Sequence, residues 1–222
     1  MKVALLTTNN RIKSETELIE QFFMHGLDVL HLKKKKFSRK KTEEYLKLIP
    51  KQYHSKIILH SHHKLAVKYK TLGIHLGRSD RKRSFRTSLK IFWFKLFHPK
   101  LQFTTSCHSL HSASSDKRKY HHMMLSPIFD SISKKNYSPA FSQRQLILIN
   151  EKTENSIYAL GGVDVSHIQT AKNDGFKGVV LYGSIWKNES DKVVAFREIA
   201  DIAQGNKKYV TPIKITPVKI KL

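Results

Sequence analysis

The stretch "SPIFDSISKKNY" (Ser126 to Tyr137) sets two hydroxyls two residues apart, Ser131 and Ser133, directly before Lys134 and Lys135. Hydroxyls offer directional hydrogen bonds and a lysine offers a point charge, so the pattern suits an anion. Two other short motifs suit the same ligand. "ALGGV" and "LYGSI" place Gly161, Gly162, Gly183 and Ser184 just behind apolar runs. Small residues there let backbone N–H groups close on a phosphate, with a helix start behind them. The run Lys33 to Lys36 follows another apolar segment, and Lys33 and Lys35 are expected to face the same place. Other runs end in the histidines of "HSHH" (His60 to His63), in Arg78 and Asp80, and in Ser106, Cys107 and His108. The histidines have the donor type of a zinc site but no carboxylate or Cys partner beside them, which argues against one. Cys107 reads as a buried thiol beside a strand end.

The elements that must hold these residues alternate in type. Eight short apolar runs read as strands: Val3 to Thr8, Asp28 to Leu32, Lys56 to His60, Gly73 to Gly77, Leu101 to Ser106, His121 to Leu125, Ser156 to Leu160 and Gly178 to Tyr182. Helical patterns separate them. Ser14 followed by Glu17 reads as a capping box ahead of the stripe Leu18, Ile19, Phe22 and Phe23, which Gly26 stops. Ser38 opens a second helix that closes before Pro50, and Asp164 opens a later one that Gly175 ends. "SLKIFWFKLFH" is a further helical candidate. Eight strand–helix repeats predict a parallel sheet closed as a (β/α)8 TIM barrel in one domain over residues 1–204, with an open doubly wound sheet as the alternative. Residues 205–222 form a basic tail with two Thr-Pro pairs, expected to be poorly ordered. In such a barrel the residues after each strand carry function, which is where every motif above falls.

Bulk composition narrows the field. The 222 residues are 40% apolar, enough for a core. No apolar run approaches the roughly 20 residues of a membrane span, so no membrane partner is expected. A single cysteine fits a reducing, cytoplasmic setting. The 41 basic and 17 acidic residues leave a net charge of +24. Lysines are spread along the chain, and zinc-finger spacing and RNP-like strands are lacking. Charge alone therefore indicates anion binding and no more, and without those motifs nucleic acid is an unlikely partner.

The ordered set of loop motifs resembles the thiamine phosphate synthase/TenI superfamily. "GIHLGRSD" is similar to its G-V-H-L-G-Q-x-D, "TTSCHS" to its G-x-S-x-H, and "SPIFDSISKKNY" to its G-P-I-F-x-T-x-T-K-K. "ALGGV", "LYGSI" and "LDVLHLKKK" resemble I-G-G-I, V-S-A-I and V-D-x-x-Q-L-R-E-K. The resemblance implies a TIM barrel that joins hydroxymethylpyrimidine diphosphate to thiazole phosphate and releases pyrophosphate, with magnesium assisting. It implies Asp80 as a magnesium ligand and Ser106, Ser131, Ser133 and Lys134 as holders of the diphosphate. Lys33 and Lys35 fall where the family has Arg and Lys, and Gly162, Gly183 and Ser184 would face the thiazole phosphate.

Three departures from the family pattern stand out. His60-Ser61 replaces Asn-Asp, whose Asp is a second magnesium ligand; Arg78 replaces Gln; Ser126 replaces the first Gly of G-P-I-F. TenI-type tautomerases carry a His where this chain has Pro127, so His60, His62 or His108 would have to substitute in that reaction. A transferase using Lys134, Ser106 and His108 is the favoured expectation. The alternatives are a TenI-like proton-transfer enzyme and a basic nucleic-acid-binding barrel. Substrates are expected to be small phosphorylated molecules, and the oligomeric state is left open.

Overall fold

The computed structural model describes residues 1–9, 12, 14–82, 84–129 and 141–206. Eight parallel strands close on themselves in chain order, each hydrogen-bonded to its sequence neighbours, with β1 returning to β8. They are β1 (Lys2–Leu6), β2 (Val29–Leu32), β3 (Ile57–Leu59), β4 (Gly73–Leu76), β5 (Gln102–Cys107), β6 (His122–Leu125), β7 (Ile157–Leu160) and β8 (Gly178–Leu181). Closure is set by register: Ala4 lies opposite Val29 on one side and Val180 on the other. Helices are α1 (Glu15–Met24), α2 (Arg39–Leu48), α3 (Lys64–Lys68), α4 (Arg78–Lys82), α5 (Ser84–Phe97), α6 (Leu110–Ser114), α7 (Gln143–Lys152), α8 (Ile168–Asn173), α9 (Gly183–Trp186) and α10 (Lys192–Gln204). The TIM-barrel reading is borne out, and each predicted strand lies within a residue or two of its observed place.

Two apolar layers follow from the two-residue strand period. Val3, Leu5, Leu30, Ile57, Leu59, Ile74, Val179 and Leu181 pack outward with helix residues. Phe22 of α1 and Phe196 of α10 are fully buried there with ring centroids 4.7 Å apart; burying such a ring contributes about 1.5–3 kcal/mol. The alternate residues, Ala4, Leu6, Val29, Ile58, Met124, Tyr158 and Val180, form a separate cluster in the barrel lumen. Gly178 makes room in it, because a Cβ there would lie 2.7 Å from the Tyr158 ring.

Helix starts show where local signals held. Ser38 accepts the N–H of Lys41, and Asp164 accepts that of Ser166. The capping box expected at Ser14 and Glu17 does not form. Ser14 has φ 61 and makes no side-chain cap bond. The neighbouring Glu15 is drawn inside instead: its carboxylate takes the Thr8 N–H at 3.2 Å and pairs with the buried Lys34 ammonium. That tertiary pairing fixes the entry to α1 in place of the local cap. α5 leaves an apolar stripe outward, with Phe85, Leu89, Phe92, Trp93, Leu96 and Phe97 all exposed. Among the described residues, no helix is long and apolar enough to cross a membrane. The predicted tail lies outside the described residues beyond Asn206.

Candidate active site

The C-terminal strand ends bring most of the predicted residues to one mouth. On the β7–β8 side, Gly161 and Gly162 have φ 94 and 71, left-handed values that favour glycine. Gly161 is also pressed against the loop after β6, where a Cβ would lie 3.1 Å from Pro127 Cα; the Ser126–Pro127 bond is cis. Among the described residues, nothing lies within 4 Å of where a Cβ at Gly183 would stand. The neighbouring Ser184 hydroxyl is buried with no hydrogen-bond partner among the described residues. An unpartnered buried hydroxyl costs about 1–3 kcal/mol, which a ligand oxygen would recover.

The lysine run divides by residue. Lys34 points inward to Glu15, Lys35 is exposed, and Lys33 is half-buried beside Thr7, whose hydroxyl accepts the Lys33 N–H at 2.9 Å. Burial, and then the charge of Lys35, pull the Lys33 ammonium below the ordinary lysine range. A cation held in this way gains from an arriving anion.

Arg78 is exposed at the start of α4. Asp80 is half-buried: its Oδ2 accepts the Gly77 N–H at 3.0 Å, and Oδ1 lies 3.8 Å from Lys90 Nζ. Lys90 also donates to His63 Nδ1 at 2.7 Å. Burial and then the Lys90 charge hold His63 down at about 4, so this imidazole stays neutral. His62 donates to the Phe37 carbonyl at 2.8 Å and ties two loops together. His108 is exposed and donates to the Ser126 carbonyl at 3.0 Å. Ser131, Ser133 and Lys134 lie outside the described residues.

The lumen holds what the sequence reading missed. His31, two residues after the lumen-facing Val29, is fully buried. Its Nδ1 lies 3.0 Å from His60 Nε2, and its Nε2 lies 2.9 Å from Nε2 of the buried His122. His75 Nδ1 is 3.0 Å from the Thr104 hydroxyl, and its Nε2 is 3.1 Å from Ser106 Oγ. The His60 and His75 rings stack at 4.0 Å, and His122 stacks on Tyr158 at 4.1 Å. Burial, reinforced by the neighbouring imidazoles, keeps His31, His60 and His122 well below the ordinary histidine range. The floor of the mouth is thus a set of neutral rings able to donate, accept or ligate. Counting back in twos from Met124 and forward in twos from Val29 was the signal that could have found His122 and His31.

As for magnesium, Asp80 offers one partly engaged carboxylate, and Ser61 stands at the end of β3 where a second would be needed. Magnesium accepts one or two carboxylates when substrate phosphates supply further oxygens. These residues fit an ion that arrives on a diphosphate better than a resident one.

The signature of the family described as thiamine monophosphate synthase fits residues 3–185. A thiamine-phosphate synthase of Prochlorococcus marinus (strain AS9601) is 22% identical over 193 residues, covering 86% of this chain and 53% of that protein. The chain therefore spans about half the length of this curated relative. Two solved structures share the fold. Thiamine phosphate pyrophosphorylase from Bacteroides thetaiotaomicron superposes with a TM-score of 0.71 at 24% identity, covering 92% of this chain and 98% of that one. The Pyrococcus furiosus protein of the same name gives 0.73 at 19% identity, covering 92% and 96%.

Proposed function

The chain belongs to the thiamine monophosphate synthase family, and from that premise we propose that it joins hydroxymethylpyrimidine diphosphate to thiazole phosphate, releasing pyrophosphate and forming thiamine phosphate. The observation that carries this reading is the seat after β7 and β8. There two left-handed glycines, an open Gly183 and the unpartnered Ser184 hydroxyl offer a small phosphate group the donors it needs. The thiazole phosphate takes this seat. The diphosphate lies across the mouth toward Lys33 and Arg78, with Ser131, Ser133 and Lys134 joining it as the family resemblance implies.

The chemistry asks little covalent work of the protein. The pyrimidine C–O bond breaks, its electron pair leaves with pyrophosphate, and the thiazole nitrogen traps the resulting cation. This chain's residues hold the two substrates in line and neutralise the leaving diphosphate. Magnesium, when present on the diphosphate with Asp80 at its edge, would supply further charge neutralisation. Ser106, bonded to His75, and the neutral rings beneath it form a polar floor on which the pyrimidine nitrogens can be hydrogen-bonded. His108, through its bond to Ser126, positions the loop that follows β6.

Gly183→Asp tests the seat. It adds a carboxylate on a Cβ that meets nothing within 4 Å among the described residues, so the fold should tolerate it. The KM for thiazole phosphate should rise by at least about tenfold, the 1.4 kcal/mol expected of one repulsive charge contact, with the KM for the pyrimidine diphosphate unchanged. An equal rise for both substrates, or none, would remove the phosphate from this seat.

A further inference from the structure

His31 on β2, His60 directly after β3 and His75 on β4 each present a ring nitrogen within 4.8 Å of the other two. We propose that these three imidazoles form a binding site for a transition-metal dication of the zinc class. His31 Nδ1, His60 Nε2 and His75 Nε2 are the ligands, and a fourth position opens toward the mouth beside Ser106.

The donor set decides the class of ion. Three imidazoles with no carboxylate among them suit zinc, cobalt, nickel or copper and disfavour magnesium or calcium. Outer partners are already in place. His31 is held through its far nitrogen by His122 at 2.9 Å, and His75 through its far nitrogen by Thr104 at 3.0 Å. Such contacts fix the ring orientation and tautomer of metal-binding histidines.

Spacing is close to what an ion needs. Tetrahedral zinc with Zn–N bonds of about 2.0–2.1 Å sets its ligand nitrogens roughly 3.3–3.4 Å apart. His31 Nδ1 and His60 Nε2, now 3.0 Å apart, need only part slightly. His60 must also turn off the face of His75, on which it stacks with an interplanar angle of 12°. It is the half-buried member of the three and follows a strand end, so it is the ring free to turn. Three neutral ligands leave the dication's charge uncompensated. The fourth position would therefore draw a hydroxide or phosphate oxygen, the three-ligand, one-open pattern of catalytic rather than structural zinc. The site stands on this geometry whatever substrate the barrel takes.

The test is metal binding, read without any turnover assay. The full chain is stripped with a chelator and titrated with Zn2+ by calorimetry and with Co2+ by visible absorption. One ion per chain and the intense bands of tetrahedral cobalt are expected. His60→Ala should weaken binding by more than the roughly 10–100-fold that loss of an outer partner causes. His111→Ala, an exposed histidine of α6, should leave binding unchanged. Ring 15N resonances of the unaltered chain guard against a variant that misfolds: zinc should shift three of the 13 histidines, the buried His31 and His75 among them. Binding that His60→Ala leaves intact, zinc-induced shifts confined to exposed histidines, or no saturable binding would each overturn the site.

Discussion

Replacing Lys34 with Met removes one half of a buried ion pair while keeping most of the side-chain volume. The Lys34 and Glu15 side chains are 1% and 3% exposed. Glu15 also takes the Thr8 N–H, and the Lys34 ammonium lies 5.1 Å from the Tyr45 ring centroid. Lys34→Met leaves a carboxylate in a dry site without its ammonium, and breaking a buried pair in this way costs about 3–5 kcal/mol. At about 2–4 °C per kcal/mol for a domain of this size, the melting temperature should fall by roughly 6–20 °C. Removing both charges should be milder. Glu15→Leu with Lys34→Met should recover part of the loss, because an apolar pair of similar volume leaves no charge to desolvate, although it forgoes the bond that Glu15 accepts from the Thr8 N–H, at about 1–3 kcal/mol. Thermal and urea unfolding followed by circular dichroism would measure Lys34→Met, Glu15→Leu and the double variant. Lys2→Met serves as the contrast: its partner is Asp28, its side chain is 64% exposed, and its loss should cost no more than about 1 kcal/mol. A cost for Lys34→Met as small as that of Lys2→Met, or single-variant losses that simply add in the double variant, would refute the reasoning. The outcome bears on function, because it decides whether Lys34 serves the fold and leaves Lys33 as the mouth's half-buried cation.

Gly178→Ala should cost about 1–3 kcal/mol by overpacking, since the new Cβ would meet the Tyr158 ring at 2.7 Å, and it should alter the near-ultraviolet dichroism of that ring as it leaves its stack on His122. Burial pushes the Asp164 carboxyl up, but hydrogen bonds from His167 and Ser166 outweigh it and hold the group at about 2. A carboxyl depressed in the folded state adds stability that is full above about pH 4 and lost as pH falls toward 2. Asp164→Asn should therefore cost about 2 kcal/mol at pH 7 in urea denaturation, a gap that narrows below pH 4. Ser61→Asp should tighten magnesium binding in the presence of pyrophosphate, measured by calorimetry, by supplying the second carboxylate that the end of β3 lacks; unchanged affinity would count against that placement.

The barrel was legible because every strand is a short apolar run closed by small or polar residues and followed by a helical stripe. Glu15 shows the limit of local reading. Ser14 and Glu17 carry the spacing of a capping box, yet the fold uses the residue between them to meet Lys34, which is 19 positions away and visible only once β1 and β2 lie side by side. The glycine seat could be read because its two halves are strand ends, and position after a strand is a sequence property. The histidine floor could not be read the same way. His31, His75 and His122 lie on β2, β4 and β6 and His60 directly after β3, and their contacts depend on barrel register, such as His31 opposite Ile58 and His122 opposite Thr104. "HSHH" drew attention to the wrong neighbours: His60 finds its partners on β2 and β4, while His62 and His63 turn to Phe37 and Lys90.

The most direct test of the central claim is product formation by the purified full chain. It would be mixed with hydroxymethylpyrimidine diphosphate, thiazole phosphate and magnesium, and thiamine phosphate would be read by the fluorescence of its oxidised form. The account predicts thiamine phosphate and pyrophosphate in equal amounts, with both lost when either substrate is withheld. A folded chain that yields neither product, while an authentic synthase turns over in the same mixture, would contradict it.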